Sequence, residues 1–314
     1  MSKLLKPTVL AASIAMVTPS VYAGGIELSD NLSVTGFIDM SMVYTDVDGG
    51  SSSSVAGLDQ FEIDLMYTFD DKLTAQVDVE YQDDGAGQVT DVEQAFITYA
   101  VNEEVSVKAG RFLSYSGWET EEPTGLYQYS GTGYAQYFYG AYQQGVSTMY
   151  NGGKYQVAVT LATSLGSLTG GDTDAEKIGT EFMLALNPTD ELTVKAFFMS
   201  HDETDLINMW ASYAVDDLTV AVEYNIADSG TDEGTGYLLM ANYAMDDFGI
   251  TVRYHAYELE DASDTVFEEM SAITISPSYK VSDNLLIVTE YRMDDDDLNG
   301  GSMDSIAVEA LLTF

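Results

Sequence analysis

The chain of 314 residues holds 52 acidic and 11 basic residues, which gives a formal net charge of −41 at pH 7. A protein this acidic repels phosphate groups, and this excludes a nucleic-acid-binding protein because phosphate contacts need Lys and Arg. The chain has no cysteine, which excludes disulfides, haem attachment motifs and thiolate metal sites, and no cofactor is expected.

The first 23 residues have the order of a secretory signal peptide. Lys3 and Lys6 form a basic start, residues 8–17 are a short and mostly apolar run, and Ala23 stands at the cleavage position. The alternative interpretation, a buried N-terminal helix, fits this order less well. We therefore predict a signal peptide at residues 1–23 and a single domain over residues 24–314.

The predicted domain contains no run of about 18 apolar residues, so no membrane-spanning helix is predicted. Apolar and polar residues alternate instead, as between residues 73 and 82, and this period is typical of a strand with one buried face. The pattern predicts about 16 strands, at residues 32–46, 58–69, 72–83, 92–101, 105–113, 141–151, 154–165, 175–187, 191–202, 205–215, 217–228, 235–245, 248–260, 267–281, 284–294 and 303–314.

Tight turns rich in Asp, Asn and Gly alternate with longer loops between these strands. These residues supply the local hydrogen bonds and positive φ angles that short hairpins need. Short turns on one rim and longer loops on the other are the layout of an outer-membrane barrel. Tyrosines shortly before the tight turns predict an aromatic ring at one membrane interface, formed by Tyr67, Tyr99, Tyr150, Tyr213, Tyr243 and Tyr279.

The predicted fold class is all-β, a closed antiparallel transmembrane β-barrel. A soluble β-sandwich is the alternative, since its strands also alternate, but sandwich strands are usually shorter. A single sheet of this size is coherent when it closes, because closure removes edges that aggregate.

The longest segment without alternation, residues 114–140, follows the fifth predicted strand. It is rich in Tyr and Gly, contains Trp118, Glu119, Glu121 and Glu122, and has no Lys or Arg. An unpatterned segment of this length in a compact domain usually has a functional reason. We predict that it folds into the barrel and partly fills the lumen.

The C-terminal strand alternates through Ile306, Val308, Ala310 and Leu312 to the terminal Phe314. This ending resembles the strand by which outer-membrane barrels are recognised for assembly. The resemblance implies that Phe314 is part of an assembly signal and that the barrel-assembly machinery is a partner.

Residues 107–130 look like the corresponding region of the β-barrel porin 2 family, the OmpL-like porins. A basic–Phe pair at 111–112 is followed by Gly-x-Glu at 117–119 and by an aromatic–Ser pair at 129–130. General porins are a more distant likeness, and they too carry a long loop in the lumen after the fifth strand. The resemblance implies a pore in the outer membrane of a Gram-negative bacterium, in contact with lipid and lipopolysaccharide. General porins are trimers, which makes a homo-trimer the implied assembly.

Several charged residues are predicted to lie around the lumen. Lys108, Lys195, Arg253 and Arg292 fall on inward faces, and Arg111 ends a strand near the loop. Opposite the three loop glutamates they would form a transverse field like that of general porins, and as the alternative they are ion-paired spacers in an acidic lumen. The predicted constriction and lumen set is Lys108, Arg111, Trp118, Glu119, Glu121, Glu122, Lys195, Arg253, His255 and Arg292.

Catalysis has little support in the sequence. His201 and His255 are the two histidines, and no serine signature accompanies either one. No catalytic residue is predicted, and the protein is not expected to be an enzyme.

One acidic run, Asp294, Asp295, Asp296 and Asp297, is a candidate Ca²⁺ site because Ca²⁺ prefers clustered oxygen ligands. It lacks the regular spacing of an EF-hand loop, and a solvated acidic surface is the favoured alternative. The other outer loops are acidic as well, which predicts a negative vestibule that favours cation entry.

Together these features predict an outer-membrane porin for passive diffusion of small hydrophilic solutes and ions, with a preference for cations. The alternative is a barrel plugged by its aromatic loop, which acts as an adhesin, a receptor or an envelope anchor.

Overall fold

The computed structural model describes residues 25–83, 88–164 and 178–314. Its strands are β1 Ile26–Ser29, β2 Leu32–Val47, β3 Ser53–Thr68, β4 Leu73–Asp83, β5 Gln88–Ala100, β6 Val105–Leu113, β7 Tyr142–Asn151, β8 Tyr155–Ser164, β9 Gly179–Leu186, β10 Leu192–His201, β11 Thr204–Val215, β12 Leu218–Asp228, β13 Asp232–Met245, β14 Phe248–Asp261, β15 Val266–Ser282, β16 Leu285–Asp296 and β17 Gly301–Thr313. A 3₁₀ turn, Pro123–Gly125, and a short helix, α1 Ala135–Phe138, lie between β6 and β7. The predicted signal peptide, 1–23, and the predicted loop 166–174 lie outside the described residues.

Strands β2 to β17 form a closed ring of 16 strands. Each strand pairs antiparallel with the next, and β17 closes the ring on β2, where Ala307 lies opposite Val43. β1 lies outside the ring and pairs with the start of β2. The sequence did not predict β1 because its four residues are too few to show a period.

The two faces of the wall differ in polarity. Val222 points outward and is 49% exposed, whereas the next residue, Glu223, points into the lumen and is 1% exposed. In a bilayer the outward apolar side chains meet hydrocarbon, and the closed sheet satisfies its own backbone hydrogen bonds. The predicted fold class is therefore confirmed. No helix in the described ranges is long and apolar enough to cross a bilayer.

The tight turns form as their residues predict. Asp216 and Asp246 adopt φ angles of 50° and 54°, in the left-handed region that hairpin turns require and that Asp tolerates. The tyrosines before the turns lie on the outer surface, where an amphipathic ring suits a membrane interface. The most exposed of them are Tyr67, Tyr99, Tyr213, Tyr243 and Tyr279.

Several boundaries differ from the prediction. β3 begins at Ser53 rather than at residue 58, because its pairing with β2 continues past a bulge at Asp59. β16 continues through Asp296, so the run predicted as an acidic loop is mostly strand. Alternation then separates its carboxylates, with Asp294 buried in the lumen and Asp295 exposed.

Candidate functional site

Loop 114–140 folds into the barrel, as predicted. It leaves β6 at the rim, crosses the lumen and returns to β7. Its aromatic side chains Trp118, Tyr127, Tyr134 and Phe138 are buried and form one apolar cluster with Trp210 of β11. Burial of these large side chains is the main apolar force that holds the loop inside.

The turn into the lumen depends on Gly117, whose φ is +88°. A Cβ at this position would lie 2.6 Å from the Tyr139 ring. The next residue, Trp118, stacks on Tyr127 at 6.3 Å between ring centroids and meets Trp210 edge-on at 5.2 Å. Glycine is therefore needed at position 117, where the chain turns and places the Trp118 indole in the lumen.

Glu223 on β12 is the polar anchor beneath the aromatic cluster. Its carboxylate accepts hydrogen bonds from the Trp118 main-chain N–H and from Asn208 Nδ2, at 2.7 and 2.6 Å. It also accepts from the hydroxyls of Tyr134, at 2.7 Å, and Tyr139. One wall carboxylate thus fixes both ends of the loop.

Two arginines hold the middle of the loop. Arg253 on β14 forms a buried ion pair with Glu119, with 2.5 Å between Nη1 and Oε1, and donates to the Ser130 carbonyl at 2.6 Å. Arg292 on β16 donates to the Gly131 carbonyl at 2.6 Å and pairs with Asp294 at 2.6 Å. The guanidinium groups therefore neutralise a loop carboxylate and satisfy loop carbonyls.

Other loop residues reach the opposite side of the barrel. Gln60 Nε2 on β3 donates to Glu122 Oε2 at 3.0 Å, and the Tyr142 hydroxyl donates to Glu122 Oε1 at 3.3 Å. Tyr129 and Ser41 of β2 share a hydrogen bond of 3.0 Å between their hydroxyls. Burial and the nearby Glu93 carboxylate raise the pKa of Glu122 well above its usual range.

The remaining predicted lumen residues line other parts of the wall. Lys108 Nζ lies 4.6 Å from the Phe96 ring centroid, and Lys195 Nζ lies 5.5 Å from that of Trp210. Cation–π contact of this kind stabilises a buried ammonium group. His255 is buried beside the Tyr134 ring, at 5.7 Å between centroids.

Three further predicted residues are Arg111, Glu121 and Phe314. Arg111 Nε donates to the Glu93 carbonyl at 2.9 Å. Glu121 is exposed, unlike Glu119 and Glu122 on either side of it. Phe314 exchanges main-chain hydrogen bonds with Gly36 of β2, at 3.0 and 3.1 Å, and so joins the two ends of the barrel.

The sequence missed a group of carboxylates beside the loop. Oxygen atoms of Glu62, Glu93 and Glu122 all lie within 4.8 Å of one another. Glu62 was recognisable as a residue on the polar face of β3. Glu93 was not, because it is the extra residue of a bulge between β4 and β5 and breaks the period of two.

Comparisons with known proteins support one class. The sequence model of the Gram-negative porin family matches residues 8–299. A comparison with curated protein sequences gave no match. Salmonella typhi OmpF, solved with daunomycin, superposes with a TM-score of 0.70 at 15% identity and covers 90% of this chain and 98% of its own.

Two more solved structures have the same fold. Pseudomonas putida OprB gives a TM-score of 0.70 at 9% identity, with 90% of this chain and 94% of its own covered. Vibrio cholerae OmpT gives 0.63 at 14% identity, with 91% and 99% covered. A trimer form of OmpT gives 0.61 at 13% identity, with 90% of this chain and 100% of its own covered.

The closed barrel with a long loop in its lumen defines an outer-membrane porin of a Gram-negative bacterium. The chain belongs to the Gram-negative porin family. This is the more distant of the two resemblances stated from the sequence, and the OmpL-like subfamily stays a prediction.

Proposed function

We propose that this porin conducts small hydrophilic solutes and ions by passive diffusion and prefers cations. The main support for this preference is the excess of acidic over basic side chains around the lumen. Among the described residues, eleven buried carboxylates accompany three buried basic side chains, Lys195, Arg253 and His255. The carboxylates belong to Asp39, Glu62, Asp78, Glu80, Glu93, Glu119, Glu181, Glu223, Glu290, Asp294 and Glu309.

The physical basis of the preference is electrostatic. A cleft lined by one sign of charge and walled by low-dielectric material concentrates counter-ions and repels co-ions. The mouth adds to this field, because Asp228, Asp232, Glu233 and Glu268 line a cavity of about 360 Å³ above the loop. A cation therefore meets a favourable potential at the mouth and within the wall.

The mechanism of transport is diffusion past loop 114–140, with no bond made or broken. The aromatic cluster and Glu223 hold the loop against one side of the barrel. On the other side, Glu122 of the loop accepts a hydrogen bond from Gln60. The width left beside the loop then sets the size of solute that passes. We propose no enzymatic activity, and hydrolysis that is lost in His255→Ala would contradict this.

A plugged barrel is the second candidate, and a specific observation favours it. Wall residues that bond to the loop, among them Asn208, Thr251 and Arg253, have no surface accessible to water. A loop packed this closely against part of the wall is what a plug requires. The two candidates differ in the conductance of the intact chain.

We also propose that three copies associate in the membrane, as in the trimer form of Vibrio cholerae OmpT. The mass of the detergent-solubilised barrel, measured by light scattering, tests whether the protein is a trimer. A monomer mass at every protein concentration would contradict the trimer.

The test of the main proposal is the reversal potential in planar lipid bilayers. Under a tenfold KCl gradient we expect a potential with the sign of K⁺ selectivity. A control variant, Asp295→Asn, removes one exposed charge and should leave the potential almost unchanged. A reversal potential that favours Cl⁻ would contradict the selectivity, and the absence of conductance would favour the plugged barrel.

A further inference from the structure

Three carboxylates from separate parts of the chain meet beside loop 114–140. Glu62 comes from β3, Glu93 from the bulge in β5 and Glu122 from the loop, and their oxygens lie within 4.8 Å of one another. Glu62 is 4% exposed and Glu93 is 5% exposed. Three acidic groups this close and this far from water repel one another unless a positive charge is shared among them.

One base lies beside this group: Arg111 Nε donates to the main-chain carbonyl of Glu93 at 2.9 Å. The ion pairs Arg253–Glu119, Arg292–Asp294 and Lys280–Asp283 lie elsewhere. Oε2 of Glu62 and Oε2 of Glu93 are buried without a hydrogen-bond partner in the described chain. Buried carboxylate oxygens without a partner are unusual, and here they belong to a cluster whose oxygens converge.

We propose that Glu62, Glu93 and Glu122 bind a divalent cation, and that Ca²⁺ is the ion they select. Ca²⁺ takes oxygen ligands at about 2.3–2.6 Å in flexible geometry. Three oxygens within 4.8 Å of one another have a common centre no more than about 2.8 Å from each, so small side-chain rotations bring all three carboxylates onto one ion. Mg²⁺ is a poorer match because it demands a near-ideal octahedron and gives up its waters reluctantly, whereas Glu62 and Glu93 are buried away from water.

A neighbouring acidic group is a weaker candidate. Glu62 also lies within 4.8 Å of Asp64 and Asp78. The Asp78 carboxylate already accepts from the side-chain amides of Gln76, at 2.9 Å, and Gln94, at 2.7 Å. Both Asp78 oxygens are thus occupied. The free oxygens of this second group, Glu62 Oε2 and Asp64 Oδ1, belong to one strand, whereas the first group joins the loop to two strands.

The bound ion would cross-link the loop to the wall. Glu122 is the loop residue of the three, and its hydrogen bonds to the wall come from Gln60 and Tyr142. A Ca²⁺ ion held between Glu122, β3 and β5 adds a second attachment opposite the Arg253–Glu119 pair. This site does not depend on whether the barrel conducts.

The test is titration of CaCl₂ into the purified, folded barrel after treatment with EDTA, followed by calorimetry. We expect one ion per chain, and at least about a tenfold loss of affinity in Glu93→Gln because a ligand is removed. The matched control, Asp295→Asn, removes one exposed acidic charge and should bind Ca²⁺ as the wild type does. Equal binding by both variants, or no binding by the wild type, would overturn the proposal.

A second measurement separates metal binding from proton sharing. We expect Ca²⁺ to raise the melting temperature of the wild type and to leave that of Glu93→Gln unchanged. If the three carboxylates shared protons instead, the wild type would not respond to Ca²⁺, and the proposal would be wrong. Conductance is not the readout, so failure here is distinct from failure of the pore.

Discussion

Loop 114–140 meets two walls of opposite chemistry. On one side, which we call the arginine wall, Arg253 and Arg292 donate to Glu119 and to loop carbonyls. On the other side, which we call the carboxylate wall, Glu62 and Glu93 converge on Glu122. The loop contributes the same residue type, glutamate, to both.

The difference shows that the opposite wall sets the role of a loop glutamate. Glu119 completes an ion pair and also accepts from Gln128 Nε2 and the Thr132 N–H, at 2.8 Å each. Glu122, three residues later, adds a third carboxylate to a buried acidic group. The charge of Glu119 is balanced by Arg253 of the same chain. We expect the charge of the Glu122 group to be balanced by a cation bound from solution.

The largest expected effect is loss of the buried ion pair in Arg253→Gln. Removal of the guanidinium leaves Glu119 charged and buried, which should cost about 3–5 kcal/mol of unfolding free energy. The measurement is urea-induced unfolding of the barrel in detergent. The control is Lys280→Gln, which breaks the exposed Lys280–Asp283 pair and should cost less than about 1 kcal/mol. Equal losses in the two variants would contradict the arginine wall.

The same substitution at the two loop glutamates should have effects of opposite sign. Glu119→Gln leaves Arg253 without its carboxylate and should destabilise the barrel by about 2–3 kcal/mol. Glu122→Gln removes a carboxyl group that is costly to ionise beside Glu62 and Glu93 and, with EDTA present, should stabilise the barrel by about 0.5–1 kcal/mol. Unfolding curves of both variants in one buffer test this prediction. Changes of the same sign in the free energy of unfolding would show that the arginine wall and the carboxylate wall affect the loop in the same way.

Gly117→Ala should loosen the loop where it enters the lumen. The left-handed φ and the contact with the Tyr139 ring together should cost about 2 kcal/mol. Gly49→Ala is the matched control, because Gly49 has a φ of +67° but no atom within 4 Å of an added Cβ, and its cost should be about 1 kcal/mol. If the two variants unfold at the same urea concentration, contact with Tyr139 does not constrain the loop.

Tyr134→Phe is expected to have the smallest effect. It removes one of several donors to the buried Glu223 carboxylate, at a cost of about 1 kcal/mol. Tyr137→Phe is its control, since the Tyr137 hydroxyl makes one long contact of 3.4 Å with Glu268. Differential scanning calorimetry should show a lower melting temperature for Tyr134→Phe alone, and equal shifts would mean that Glu223 does not anchor the loop.

The barrel could be predicted from sequence because its determinants are local. Alternation of apolar and polar residues sets each strand, and residues such as Asp216 and Asp246 set the tight turns. The position of the loop after the fifth strand of the ring follows from counting these elements. β1 could not be predicted in this way, because its four residues are too few to show the alternation of apolar and polar residues.

The contacts of the loop could not be predicted in the same way. Glu119 and Arg253 are 134 residues apart, and their pairing depends on the register of every strand between them. Glu93 faces the cluster because a bulge displaces it from the alternation. The sequence indicated which residues are charged and, outside bulges, which face they occupy, but the three-dimensional register determines which of them meet.

The most direct test of the account is the single-channel conductance of the barrel before and after deletion of residues 119–130 from the loop. If the loop lies across an open lumen, the intact protein should conduct and the deletion should raise its conductance. A wild type with no conductance that opens on deletion would identify the loop as a plug. An unchanged conductance would show that this loop does not form the constriction.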